Sequence, residues 1–149
     1  MTSRHDTGTT PDAGTDPDAP RGNRVRLVRS GELDGHAAIN GGTVGSKRLW
    51  TGRAENPPLS STDNHHHGAS GTGIHVVSGH PVFVHHDGEQ EVRIAAHPGD
   101  FVLVPPFVPH REENPGPDEP AVVVLARTAQ EPIKVSVPEL YRDEETGPR

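Results

Sequence analysis

From Arg24 onward, apolar and polar residues alternate in short runs with a period of two. Val25 and Leu27 fall on one side of the chain and Arg24 and Arg26 on the other, the signature of a half-buried strand starting here, because successive side chains of an extended chain point to opposite faces. Runs of the same kind predict strands over Ser46 to Ala54, Gly73 to Ser78, Pro81 to His86, Val92 to Ala96, Phe101 to Val104, Pro109 to Glu113, Ala121 to Arg127 and Ile133 to Val137. Between them stand Ser78-Gly79, Asp87-Gly88, Pro98-Gly99-Asp100 and Asn114-Pro115-Gly116, where a turn costs little backbone strain. Strands at this regular spacing predict an all-β sandwich or barrel. Val137 to Glu144 is the one stretch that fits a short closing helix, with a charged end that frays. Met1 to Asn23 is mostly Thr, Asp, Gly and Pro, with too little apolar surface to offset the entropy of ordering it. The expected organisation is a disordered tail over 1–23, one β-barrel over 24–140 and a C-terminal tail over 141–149.

Composition sharpens this picture. A chain of 149 residues that is 30% hydrophobic supports one modest domain. A net charge of -7 repels phosphate backbones and anionic lipid, so no nucleic-acid or membrane partner is expected and a small molecule is. No apolar run approaches the roughly 20 residues that span a bilayer, and the N-terminus has no apolar signal core. A cytoplasmic location is the expectation. With no cysteine, disulfides, thiolate nucleophiles and thiolate ligands are all excluded, which leaves imidazole and carboxylate as strong metal ligands.

Among the eleven histidines, His65-His66-His67 precedes a predicted strand. In an extended segment His65 and His67 share a face that His66 does not. A hairpin later, Pro98-Gly99-Asp100 leads into Phe101 to Val104, and the chain then reaches His110. At these residues the chain closely resembles the cupin superfamily. Its second motif, G-(X)5-P-X-G-(X)2-H-(X)3-N, is matched at Gly99, Pro105, His110 and Asn114 with every spacing kept, and Phe107 stands where the motif has its second glycine. Its first motif, G-(X)5-HXH-(X)3,4-E-(X)6-G, is matched at His65, His67 and Gly79. Leu59 replaces its first glycine, and Gly71 and Thr72 occupy the two positions allowed to its glutamate. The resemblance covers Trp50 to Leu125, about half the chain. It implies a six- to eight-stranded jelly-roll barrel holding one divalent metal on His65, His67 and His110, with iron or zinc foremost and manganese or nickel as alternatives.

The missing glutamate leaves two readings open. In one, three neutral imidazoles leave the metal its full charge and open positions for substrate or dioxygen; the resemblance includes thiol and diketone dioxygenases of this kind. In the other, a substitute ligand is recruited. His75 serves if the strand's inward register runs from Gly71, and Glu112 shares the parity of His110 and is the acid/base candidate. The functional expectation is a metal-dependent enzyme acting on a small polar metabolite, with a dioxygenase as one form. Its rivals are a redox-inert zinc enzyme for an isomerisation or rearrangement, such as nitrogen–nitrogen bond formation, and a non-catalytic binding or sensing module. Twelve arginines against two lysines associate the chain with GC-rich bacteria, where stand-alone cupins accompany biosynthetic genes.

Other residues have plainer readings. His80, His85, His86 and His97 lie at or near turns and are expected to be solvated. Glu112 and Glu113 read equally as solvated charges near a strand end or as cavity residues, and Asp100 is expected to belong to its turn. Phe101, Leu103, Val122, Val124 and Trp50 are expected to pack the barrel. A homodimer is expected, since an open jelly roll exposes strand edges and the Val25 to Arg29 strand could pair with one.

Overall fold

The computed structural model describes residues 25–130 and 133–141. The expected disordered tail over 1–23 lies outside the described residues, as does the C-terminal tail beyond Tyr141. Among the described residues eleven strands run in chain order: β1 (Ala37–Ile39), β2 (Trp50–Asn56), β3 (Ser60–Ser61), β4 (His65–His66), β5 (Thr72–Ser78), β6 (Val82–His86), β7 (Glu91–Ala95), β8 (Phe101–Val104), β9 (His110–Asn114), β10 (Ala121–Arg127) and β11 (Val135–Ser136). One helical turn, α1 (Gly41–Val44), follows β1. Asn40 caps it: the Asn40 side chain accepts from the Thr43 amide, and the Thr43 hydroxyl accepts from the Asn40 amide.

The strands form two antiparallel sheets that face each other. One has the order β1-β2-β10-β5-β8; the other has β11-β4-β9-β6-β7, with β3 paired to β9. The core between them contains Trp50, Ile74, Val76, Phe83, Val104, Val123 and Leu125. Ile74, Val76 and Val123 are at most 1% exposed, so each contributes on the order of 1.5–3 kcal/mol by leaving water. On the outer side of the second sheet, Val82 and Val84 pack against Leu140. That contact holds the 137–141 segment, which forms no helix.

Several sequence expectations need correcting. The segment from Val25 is not a strand; Val25 is 103% exposed and Leu27 70%. In β8, whose four residues are all apolar, parity could not be read from the sequence. Pairing of Thr72 with Val104 turns Val104 inward, leaving Phe101 and Leu103 exposed at 80% and 72%. In β10 Ala121, Val122, Val123 and Leu125 are buried, Val122 as expected, whereas Val124 faces out. Trp50 is buried as expected, and the Asp100 carboxylate accepts from the His97 amide within its turn.

Candidate metal centre

The second sheet builds the site. His65 on β4 is the direct cross-strand partner of His110 on β9, and directly paired residues share a face. His67, just past β4, has the parity of His65. All three are buried, at 4%, 8% and 3% exposure. Their rings lie 4.5–5.2 Å apart between centroids, and one nitrogen from each falls within 4.8 Å of the others. His66 points the other way, and its Nδ1 accepts from the Gly68 amide.

Hydrogen bonds fix which nitrogen each ring presents. The Nδ1–H of His65 donates to the Asp63 carbonyl at 2.7 Å, that of His67 to the Ile133 carbonyl at 2.8 Å, and that of His110 to the Val108 carbonyl at 3.0 Å. A carbonyl only accepts, so the proton sits on Nδ1 and the Nε2 lone pair is free in each neutral ring. Burial lowers all three pKa values, with that of His110 down to about 4. The rings are therefore neutral at pH 7, the form that binds metal. The Nε2 of His110 is buried with no hydrogen-bond partner among the described residues, an arrangement that costs stability unless something fills it. Three converging neutral imidazoles with one orphaned nitrogen fit a divalent metal. The nearby Asp63 carboxylate is already engaged by Lys134 and Ser136, and Lys134 first among the causes holds its pKa down to about 2.

Glu112 lies on the inward face of β9, opposite Phe83 of β6. Its carboxylate accepts from the Asn56 amide group at 3.3 Å, and burial raises its pKa. Glu113, one residue on, faces outward and pairs with Arg93 and Arg111. Asn114, the last residue of the second motif, is structural: its Nδ2 donates to the carbonyls of Asn56 and Glu119 and its Oδ1 accepts from the Gly116 amide, which locks the turn.

His75 is not brought to the other three. Thr72, Ile74 and Val76 are the buried residues of β5, so His75 faces the outside, where its ring packs on exposed Phe101 at 4.4 Å. Of the two positions allowed to the motif glutamate, the inward one is therefore Thr72. The sequence reading passed over His85, which pairs directly with His110 and so shares its face. Only the β6–β9 register shows this, since the turn-proximal position of His85 looked like that of a solvated histidine. Two surface clefts, of about 590 Å³ near Arg26 and Asp34 and about 620 Å³ near His86 and Tyr141, are lined by none of the three histidines.

No helix among the described residues is long and apolar enough to cross a membrane. A search of curated protein sequences finds no match. Solved structures with the same fold include a Klebsiella pneumoniae conserved protein with a double-stranded β-helix domain, at 16% identity and TM-score 0.60 over 78% of this chain and 100% of that one. An oxalate decarboxylase from Lactobacillus farciminis aligns at 21% identity and TM-score 0.58, over 66% of this chain and 30% of that one. Peruvianin-I, a cysteine peptidase from Thevetia peruviana latex, aligns at 17% and 0.59 over 75% and 72%. At these identities the likeness is one of fold; a chain without cysteine cannot share the last protein's nucleophile. The chain spans less than a third of the oxalate decarboxylase. The family model for the cupin domain matches residues 52–127, half of the chain and the stretch that carries all three histidines, so with its two facing sheets and inward imidazoles the chain belongs to the cupin family.

Proposed function

We propose that this cupin is a metal-dependent enzyme acting on a small polar metabolite, with His65, His67 and His110 as the ligands of one divalent ion. The supporting observation is the donor set. Three neutral rings present free Nε2 atoms, and a hydroxyl, Thr72, stands where the family motif has a carboxylate. A metal held only by neutral ligands keeps its full double charge and open positions, so it supplies a strong Lewis acid and, if redox-active, a partner for dioxygen.

The chain's own residues supply the rest. The Nδ1–carbonyl bonds fix the rings in the ligating tautomer. Glu112 stands two residues from His110 on the same strand face, about 7 Å along the backbone, and is the group placed to hold or move a substrate proton. Iron and zinc are the foremost candidates for the ion. Zinc defines the second reading, an isomerisation or rearrangement, because an all-imidazole shell suits it equally. Manganese enters because the similarly folded Bacillus subtilis oxalate decarboxylase has Mn(II) centres.

Metal analysis of protein purified without added metal tests this. About one iron per chain supports oxygenation, and about one zinc supports Lewis-acid chemistry. A chain that stays empty when offered either ion removes the enzyme reading and leaves a binding or sensing module. We further propose a homodimer through the exposed outer face of the first sheet, where Val77, Phe101, Leu103 and Val124 lie. Sedimentation showing only monomer at micromolar concentration would contradict it.

A further inference from the structure

Opposite the imidazoles, the first sheet carries an inward row of side chains: Trp50 pairs with Arg127, Arg127 with Thr72, and Thr72 with Val104. The Arg127 guanidinium lies 4.5 Å over the centre of the Trp50 ring. The platform is built in from the backbone. A Cβ on Gly52 would meet the Trp50 ring at 2.4 Å, so glycine there is what lets the indole lie across β2 beneath the cation. Such a stacked guanidinium is held in orientation by the ring while its N–H fork stays free.

Two polar atoms of this row have no hydrogen-bond partner among the described residues although both are buried: Nε of Arg127 and Oγ1 of Thr72. Thr72 is only 2% exposed. Arg127 takes part in none of the ion pairs of the described residues. The Glu112 carboxylate favours its charge from a distance, while burial, the larger influence, lowers its pKa. His67 senses the same positive charge, which places the guanidinium near the three-histidine group. Leaving a buried guanidinium N–H and a hydroxyl unpaired is costly, and direct cross-strand pairing of their residues sets the two donors on one face as neighbours, where an anion's oxygens would satisfy both.

We propose that Arg127 and Thr72 form a carboxylate-binding subsite facing the three histidines, so that the substrate is a small carboxylic acid whose anion is held on the first sheet. This rests on the functional reading above and deepens it. Where the family motif has a fixed carboxylate, this chain has a neutral hydroxyl beside an unpaired cation, and the anion arrives with the substrate.

Trp50 is the single tryptophan and lies directly under Arg127, so its fluorescence reports on the subsite whether or not metal is bound. Metal-free full-length protein is titrated with sodium acetate and, at equal ionic strength, with sodium chloride. Acetate is expected to give a saturable change and chloride none. Arg127→Gln should weaken the half-saturation at least tenfold, and Thr72→Val severalfold, with Thr72→Ser restoring it. Arg127→Lys, which keeps the charge but not the fork, should fall between native and Arg127→Gln. Equal responses to acetate and chloride, or an unchanged half-saturation in Arg127→Gln, would overturn the proposal. Metal binding by the same protein, measured separately by calorimetry with Zn²⁺, distinguishes the two readings. If the metal fails to bind while acetate does, the metal reading falls and the subsite stands.

Discussion

The two inner faces of the barrel are polar in opposite ways. On the second sheet every Nδ1 of the three histidines is tied to a backbone carbonyl, so the rings are locked before any ligand arrives. On the first sheet Arg127 and Thr72 face inward with buried polar atoms that have no hydrogen-bond partner among the described residues. In the proposed function the histidine face holds the metal and the other receives the substrate, because a group whose partners are supplied only by a ligand binds that ligand selectively.

The largest expected effect comes from breaking the locked face. His110→Ala or His65→Ala should lower divalent-metal affinity by on the order of a thousandfold or more, beyond the roughly 10–100-fold typical of losing an outer partner; calorimetric titration checks it. His75→Ala, on the outer surface, should leave metal affinity unchanged, and release of the metal in that variant would show that His75 does reach the site.

Proton competition probes the same face. Folded His110 loses its proton near pH 4, against about 6.5 when unfolded. Between these values the unfolded chain binds the proton and the folded chain does not, so metal-free protein loses stability as pH falls from about 6.5 to about 4. His110 alone accounts for on the order of 3 kcal/mol, at about 1.4 kcal/mol per pH unit. His65 and His67, lowered by the same burial, act in the same direction. Thermal unfolding of metal-free protein at pH 7 and pH 4.5 reads this directly, and equal midpoints would mean that the rings are protonated or solvated.

A carboxylate placed on the receptive face should make it resemble the locked one. Thr72→Glu adds an anion beside Arg127 and within reach of the metal. Metal affinity should hold or rise about tenfold, while acetate binding at Trp50 and any turnover fall. Undiminished turnover would show that the open position is unused.

The chemistry of the locked face was legible in the sequence; that of the receptive face was not. His65, His67 and His110 lie at motif spacing on segments whose parity is local. Arg127, Thr72, Trp50 and His85 meet only through cross-strand register, which hydrophobic alternation in one strand does not encode. For the same reason the sequence leaves the face of His75 open between two registers and puts Phe101 and Leu103 inward, where the structure does not have them. Strands β5, β6 and β10 were read from alternation almost to the residue, whereas the two-residue strands β3, β4 and β11 exist through pairing and have too few residues to show a period. The motif's departures also proved informative. Leu59 and Phe107, which replace motif glycines, are the only non-glycine residues with positive φ among the described residues, at 56° and 62°. The backbone shape is kept although the residue that makes it cheap is gone.

That yields the smallest prediction. Both side chains are mostly exposed, 73% for Leu59 and 63% for Phe107, so Leu59→Gly or Phe107→Gly sacrifices little packing. Each should raise stability by about 0.5–1 kcal/mol, as relief of the left-handed conformation outweighs glycine's entropy. Denaturant midpoints check it, and a loss above about 1 kcal/mol would mean that the side chain packs against something.

X-ray absorption of the metal-loaded protein addresses the centre itself. The account predicts one divalent ion per chain with three imidazole nitrogens at about 2.0–2.1 Å and the remaining positions filled by light-atom donors that change when acetate is added. A shell with fewer than two imidazoles, or one unaltered in His110→Ala, would contradict it.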